Sequence, residues 1–294
     1  MFQNDHLNLN FYRNCKILVI FGSDWQVNRS KPVNLAQLYL GSWFKMNLAL
    51  IPARAGSIGV KNKNLQKVSG MSLVSRTYSQ ALNSDIFEKI VISTNSLPIL
   101  HEIFLNFSPN EFKALKSDSI ILLEGSTYFH KRSPNDSKTL SPIRNVVFKL
   151  SRELDFSKLW LLQPTSPYRL KKEFTDIQKL IDRLKISDLG WSSIVSCKAV
   201  GGMHPDRMLR LKGDYIESYS TQLQGENAPR QLLEKLYIKD GAFYVLKKEN
   251  LLDKIFLGQS IVPFVREGLK TLNIDSVEDL YIAQMLAENF LEVF

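Results

Sequence analysis

Ile51-Pro52-Ala53-Arg54-Ala55-Gly56-Ser57-Ile58-Gly59-Val60-Lys61-Asn62-Lys63-Asn64 follows directly on an apolar run that begins at Asn47. A strand that empties into a loop with two glycines, a serine, an arginine and two lysines can wrap phosphate, because bare backbone N–H groups and long cations converge on one anion. The spacing is not that of a Walker loop, since G-x-x-x-x-G-K-[ST] is absent. Glycines at 56 and 59 alone do not make G-x-G-x-x-G either. The loop therefore implies nucleotide chemistry of another kind.

From Met46 outward, strand and helix patterns alternate. Strands are predicted at 47–51, 89–94, 120–123, 158–163, 192–197 and 242–246, and helices at 72–83, 98–107, 142–154 and 171–184. This order predicts an α/β fold, a mostly parallel sheet covered on both faces. Ligands of such sheets sit at the carboxyl ends of the strands. The loop at 51–64 lies at one such end, and Gln163-Pro164-Thr165-Ser166-Pro167 lies at another. The alternation loosens over 198–239, a glycine-containing stretch read as a β-arm, a lid or a dimer element. Near the end, Ser276 and Asp279 have the spacing of a capping box ahead of a helix to about Asn289. Residues 1–45 stand outside the pattern and are read as an N-terminal extension of unknown role, with one domain over 46–294. If the extension is dispensable, a chain starting at Met46 folds.

Composition narrows the classes. The chain has 294 residues, 44% hydrophobic and 23% charged, which suits a soluble globular protein. No apolar run reaches ~18 residues, so no membrane span is expected. Cys15 and Cys197 form no metal spacing, and a cytoplasmic protein fits them best. The net charge of +9 raises a nucleic-acid reading. The basic residues are scattered, however, with no Lys/Arg block interleaved with aromatics. Anionic small substrates would equally favour a positive cleft.

Four blocks in order carry a resemblance. Ala53 to Asn64 resembles the A-R-x-G-S-K-G-[IVL]-x-x-K-N loop of the acylneuraminate cytidylyltransferases, the CMP-sialic acid synthetases. Leu161-Leu162-Gln163-Pro164-Thr165-Ser166-Pro167-Tyr168-Arg169 resembles their L-L-Q-P-T-S-P-x-R. Ala228-Pro229-Arg230-Gln231 resembles their basic-Gln step, and 236–244 their L-Y-x-x-[ND]-G-[AS]-[FI]-Y strand. The blocks cover about residues 47–294. The resemblance implies a Rossmann-like, three-layer nucleotide-diphospho-sugar transferase fold with a small dimerisation arm. It also implies synthesis of a CMP-activated nonulosonic acid and pyrophosphate from CTP and the free 2-keto acid sugar. Alternatives are legionaminic or pseudaminic acid as the sugar, or a catalytically weak nucleotide-binding relative.

The resemblance also implies roles. Arg54 and Lys63 match positions that contact the CTP phosphates. Charge grows on the leaving pyrophosphate during attack at the α-phosphorus, so fixed cations there lower the barrier. Ala53, Gly56, Ser57, Asn64 and Arg132 complete the nucleotide side, although Ser57 and Asn64 equally suit loop shaping. Gln163, Arg207, Arg230, Gln231 and Asp240 are implied on the sugar side, with Arg230 paired to the substrate carboxylate. His204-Pro205-Asp206-Arg207 resembles the family's H-P-x-K segment on its dimer arm. Mg²⁺ is implied at Asp275 and Asn273, where the family often has D-x-D. Four residues depart from the family's pattern: Ile58 for a usual Lys, Asn95 for a frequent Asp, Asp240 for a frequent Asn, and Asn273 for the first Asp. CTP, a nonulosonic acid and a second copy of the chain are the expected partners.

Overall fold

A computed structural model describes residues 46–57, 59–107, 112–114, 120–123, 127–131, 156–187, 190–220, 229–252 and 256–289. The extension over 1–45, Ile58, Arg132, Ala228 and the helix expected at 142–154 lie outside the described residues.

Strand β1, Met46–Pro52, shows why the chain folds as it does. Leu48, Ala49, Leu50 and Ile51 are each 0% exposed. An unbroken apolar run of this kind suits a central strand covered on both faces. Alternate residues feed opposite faces. Ala49 and Ile51 join a cluster with Trp160, Phe174, Ile177 and Phe243, while Leu48 and Leu50 join Leu159, Leu161, Leu246 and Leu251.

The strands following β1 in the chain are β2 (Lys67–Val68), β3 (Met71–Ser72), β4 (Lys89–Thr94), β5 (Phe112–Ala114), β6 (Ile120–Leu123), β7 (Thr127–Lys131) and β8 (Phe156–Leu161). They continue with β9 (Ser193–Ala199), β10 (Leu209–Lys212), β11 (Tyr215–Ser218), β12 (Tyr237–Lys247) and β13 (Ile261–Val265). Nine of these form one sheet in the order β13-β9-β12-β8-β1-β4-β7-β6-β5. β1 runs parallel to β4 and β8, β4 to β7, and β13 to β9. β12 and β6 run against their neighbours. The expected, mostly parallel sheet is therefore present, with two reversed strands.

Helices α1 (Leu73–Asn83), α2 (Leu97–Phe107) and α3 (Lys171–Ile186) pack their apolar stripes on the face that holds Trp160 and Phe174. The short α4, Lys248–Leu252, sends Leu251 to the other face. α1 begins at its Ser72 cap, whose side chain accepts from the Ser75 N–H at 3.3 Å. No helix among the described residues is long and apolar enough to cross a membrane.

α5, Val277–Asn289, closes the described chain and builds a third apolar cluster. Leu280, Ala283 and Ala287 pack with Ile274, Val60, Val68, Leu73 and Tyr168. Tyr168 donates its hydroxyl proton to the Ala283 carbonyl oxygen. The Ser276/Asp279 cap forms reciprocally: Ser276 Oγ accepts from the Asp279 N–H (3.2 Å), and Asp279 Oδ2 accepts from the N–H of Ser276 (2.8 Å) and of Asp275 (3.0 Å). Partial burial works against ionisation, but these hydrogen bonds hold the Asp279 carboxyl below the usual carboxylate range.

β12 is twice as long as expected, because its polar first half still pairs with Cys197–Ala199 of β9 beyond a register shift between Lys239 and Tyr244. The stretch at 198–239 contains a hairpin, β10 and β11, turning at Gly213 with φ 60°. That is the β-arm among the forms expected for this segment.

Candidate active site

The loop after β1 is fastened from three sides. The Ala53 N–H donates to the Ser93 carbonyl oxygen at 2.8 Å, continuing the β1–β4 ladder past the end of the strand. The Ala55 N–H donates to Asn95 Oδ1 at 2.8 Å. An amide oxygen thus does at position 95 what a carboxylate oxygen would do, and that departure keeps the contact. Asn64, 7% exposed, donates from its amide to the Arg54 carbonyl oxygen at 2.8 Å. This supports the loop-shaping alternative for Asn64. Asn62 takes a left-handed backbone (φ 51°) and launches a 3₁₀ turn over Lys63–Leu65. Arg54 and Gly56 are exposed, and Ser57 is half-buried.

Lys63 does not project into solvent. Its Nζ donates to the Ile274 carbonyl oxygen (2.8 Å) and to Asp275 Oδ1 (3.2 Å), and lies 3.4 Å from the Asp275 carbonyl oxygen. Asn273 Nδ2 donates to Asp275 Oδ2 at 2.6 Å. The segment is anchored by the Ile274 N–H, which donates to the Thr165 carbonyl oxygen at 2.7 Å. The 273–275 segment therefore sits between the phosphate-type loop and the Gln163–Pro167 turn. Asn273 and Asp275, expected to share an ion, are adjacent.

Gly59 lets the loop reach this segment. A Cβ there would lie 2.3 Å from the Asp275 carbonyl oxygen. Gly59→Ala is expected to push the loop and the Asp275 segment apart and to lower affinity for nucleotide at least tenfold, about 1.4 kcal/mol, as read by nucleotide titration. Affinity equal to the parent's would show that the close approach is not needed.

Gln163 stands just past the end of β8. Its Oε1, Ser166 Oγ and Asn273 Oδ1 crowd over Gly241, where a Cβ would lie 2.8, 3.0 and 3.1 Å from them. Gly241 also has φ 78°, so both space and backbone require glycine. Ser166 Oγ donates to the Asp240 carbonyl oxygen at 3.0 Å. A continuous series of contacts thus runs from Gln163 through Gly241, Asn273 and Asp275 to Lys63.

The Asp240 side chain faces elsewhere. It is buried, its Oδ2 accepts from Arg266 Nη1 (2.6 Å) and its Oδ1 from Ser196 Oγ (2.5 Å) and the Ala242 N–H (3.1 Å). Expected to line the sugar pocket, the carboxylate instead holds the irregular part of β12 from beneath. Arg266 explains why Asp is accepted there. It donates through Nε to Glu173 Oε1 (2.9 Å) and through Nη2 to Glu173 Oε2 (3.1 Å), and it is 2% exposed. Burial opposes its charge, but Glu173 and Asp240 together raise its pKa.

Arg169, 3% exposed, performs a parallel task on the turn. It donates to the carbonyl oxygens of Ser166 (2.7 Å), Ala242 (2.8 Å) and Gln163. Burial, reinforced by the neighbouring Arg266 cation, lowers its pKa to about 9. The sequence reading gave no role to Arg169, Glu173, Ser196 or Arg266. The Arg169 contacts were foreshadowed by its place in the Gln163–Arg169 block; Arg266 had no such signal.

Arg207, Arg230 and Gln231, expected on the sugar side, belong to the arm segment. Arg207 ends a 3₁₀ turn, Pro205–Arg207, and is exposed. Gln231 is exposed in the turn Arg230–Leu232, of which Arg230 is described by its backbone alone. A cleft of about 340 Å³ opens at the base of the arm between Ala199–Gly201 and Leu233–Tyr237, with His204 in its wall.

The fold is α/β, with the site edge at the carboxyl ends of β1 and β8. The structure matches that of a CMP:2-keto-3-deoxy-manno-octonic acid synthetase complexed with CTP, at TM-score 0.55 and 14% identity, over 84% of this chain and 100% of that one. It also matches a 4-diphosphocytidyl-2C-methyl-D-erythritol synthase from Anaerococcus prevotii, at TM-score 0.53 and 13% identity, over 83% and 99%. The pattern of the family described as Cytidylyltransferase matches residues 48–110.

The chain is similar to the N-acylneuraminate cytidylyltransferase of Escherichia coli O18:K1:H7, 25% identical over 80% of this chain and 51% of that protein. It is similar as well to the CMP-N,N'-diacetyllegionaminic acid synthase of Legionella pneumophila, 24% identical over 82% and 96%. The post-translational flagellin modification protein B of Campylobacter coli is 27% identical over 81% and 94%. The resemblance to the acylneuraminate cytidylyltransferases thus extends over most of the chain. The chain spans about half the length of the Escherichia coli relative and nearly the whole of the other two.

Proposed function

We propose that the protein is a Mg²⁺-dependent cytidylyltransferase that joins CTP to a nonulosonic acid, giving the CMP-sugar and pyrophosphate, and that it acts as a cytoplasmic homodimer. The observation that carries this reading is the contact series at the sheet edge, where a phosphate-type loop meets Gln163, Asn273 and Asp275. In this reading Arg54 and the loop N–H groups grip the triphosphate, and Gln163 offers an uncharged amide to the sugar. Arg230 is assigned to the sugar carboxylate, to which a guanidinium can bind through two parallel hydrogen bonds.

The metal fits the residues present. The Asp275 side chain is 73% exposed, and the Asn273 amide reaches it through Nδ2. Among the described residues no group of three or more His, Cys, Asp or Glu could hold an ion. One carboxylate with an amide suits Mg²⁺, which takes its other ligands from phosphates and water. Once held, the ion would neutralise charge on the triphosphate.

The arm supports the dimer. Leu211 and Tyr215 of the hairpin are 75% and 81% exposed. A lone two-stranded hairpin is marginal in water, so an apolar one needs another surface. Leu211→Asp with Tyr215→Asp is expected to give a monomer in light scattering. A dimer that survived both changes would place the interface elsewhere.

Measuring pyrophosphate release from CTP with a panel of nonulosonic acids tests the activity. Silence with every acid in ample Mg²⁺, while CTP still binds, would favour the catalytically weak relative. A second reading, a legionaminic-type acid as the sugar, is favoured by length, since the Legionella synthase is matched nearly end to end.

A further inference from the structure

Asp275 supplies the one carboxylate of the proposed ion site, and both of its oxygens already have partners. Oδ1 faces Lys63 Nζ at 3.2 Å, and Oδ2 accepts from Asn273 Nδ2 at 2.6 Å. The lysine is not a passing neighbour. Its side chain is 12% exposed, and Nζ is also bonded to the Ile274 carbonyl oxygen at 2.8 Å. The ammonium is therefore set into the 273–275 segment, whose Asp275 carbonyl oxygen lies close to Gly59 of the loop.

This arrangement bears on which ligand the site accepts. A bare divalent ion approaching Asp275 meets a positive charge already beside the carboxylate and an amide N–H on its other oxygen. It gains one carboxylate and must displace both. An ion that arrives on a triphosphate meets different energetics. The phosphate oxygens carry several negative charges and give the Lys63 ammonium a stronger partner than a single carboxylate. Lys63 can then leave Oδ1 for phosphate, and Oδ1 becomes available to the ion.

We propose that Lys63 and Asn273 make this site selective for the metal–triphosphate complex as one ligand and exclude the free divalent ion. The inference rests on the cytidylyltransferase reading for its choice of triphosphate. It gives Asn273 a positive purpose: a carboxylate there would repel Asp275 and attract bare metal, whereas the amide occupies one Asp275 oxygen with a hydrogen bond. Lys63 serves twice, as counter-ion in the empty site and as phosphate ligand in the filled one.

Mn²⁺ binding, read from the free-ion signal in electron paramagnetic resonance, tests this without turnover. The parent protein is titrated with Mn²⁺ alone and with Mn²⁺ plus CTP, alongside Lys63→Met and Asn273→Asp. The expected result is no uptake of Mn²⁺ alone by the parent, and uptake when CTP is present. Each variant should bind Mn²⁺ alone about tenfold or more tightly than the parent, the effect of one unit charge a few ångström from a carboxylate in a water-like medium. Parent uptake of Mn²⁺ alone equal to the variants', or failure of both variants to gain metal, overturns the selectivity. Asn273→Asp keeps the test decisive if Lys63→Met does not fold. CTP binding in EDTA is measured separately: its absence sinks the cytidylyltransferase reading, while the metal-alone comparison still judges the roles of Lys63 and Asn273.

Discussion

Arg266→Met is expected to lower stability by about 3–5 kcal/mol, the usual result of removing one partner from a buried ion group. Arg266 and Asp240 have side chains 1% and 0% exposed, and Glu173 is 5% exposed. Methionine fills much of the space but leaves the Asp240 carboxylate without its cation and leaves Glu173 to Lys270 Nζ, 3.2 Å from its Oε1. Asp240→Asn added to Arg266→Met should recover part of the loss, because it removes the Asp240 charge. Asp240→Asn alone should cost less, since Arg266 keeps its fork on Glu173. Urea unfolding of the three variants measures this. If Arg266→Met lay within about 1 kcal/mol of the parent, the value typical of exposed pairs, the network would not be what holds the site edge.

Arg54→Ala should act on rate and leave stability alone. Arg54 is exposed, and the Asn64 contact uses only its backbone carbonyl, which alanine keeps, so the substitution leaves that bond in place. If it faces the phosphates in the proposed reaction, losing it removes a cation placed where charge develops. A decrease in kcat of about 10²–10³-fold is expected, with an unchanged melting temperature. Lys63→Ala should behave differently, changing metal binding as well as rate. A less than fivefold fall in kcat for Arg54→Ala would remove Arg54 from the transition-state contacts.

The parts of the fold that were legible in the sequence are those where local pattern and burial agree. β4 spans Lys89–Thr94 as expected because five consecutive residues of it are buried, a signal that needs no tertiary information. α3 begins at Lys171 as expected, where the Leu170 N–H donates to Glu173 Oε2 at 3.0 Å. β13 was not foreseen. Its residues alternate between exposed and half-buried, with Pro263 at the centre, and only an edge position makes such a strand acceptable.

The site divides in the same way. The loop, Gln163 and the 273–275 segment were readable as motifs, and the structure brings them into one series of contacts. Arg266 was not readable. A single arginine between Val265 and Glu267 looks like surface, and its burial is decided by Glu173 and Asp240, 93 and 26 residues away. The Asp240 side chain was unreadable for the same reason, since its partner Arg266 lies just past the end of β13.

The Lys63–Ile274 hydrogen bond joins residues 211 apart in the chain. The third apolar cluster ties the same two regions together, with Val60 and Val68 on one side and Leu280 and Ala283 on the other. Contacts between such distant partners form late, because the loop they close costs entropy before it returns any energy. During synthesis the β1 loop leaves the ribosome long before α5 exists. This edge of the sheet is thus completed only when nearly the whole domain has emerged, and a nascent chain halted before residue 274 carries the 51–64 loop without its clasp.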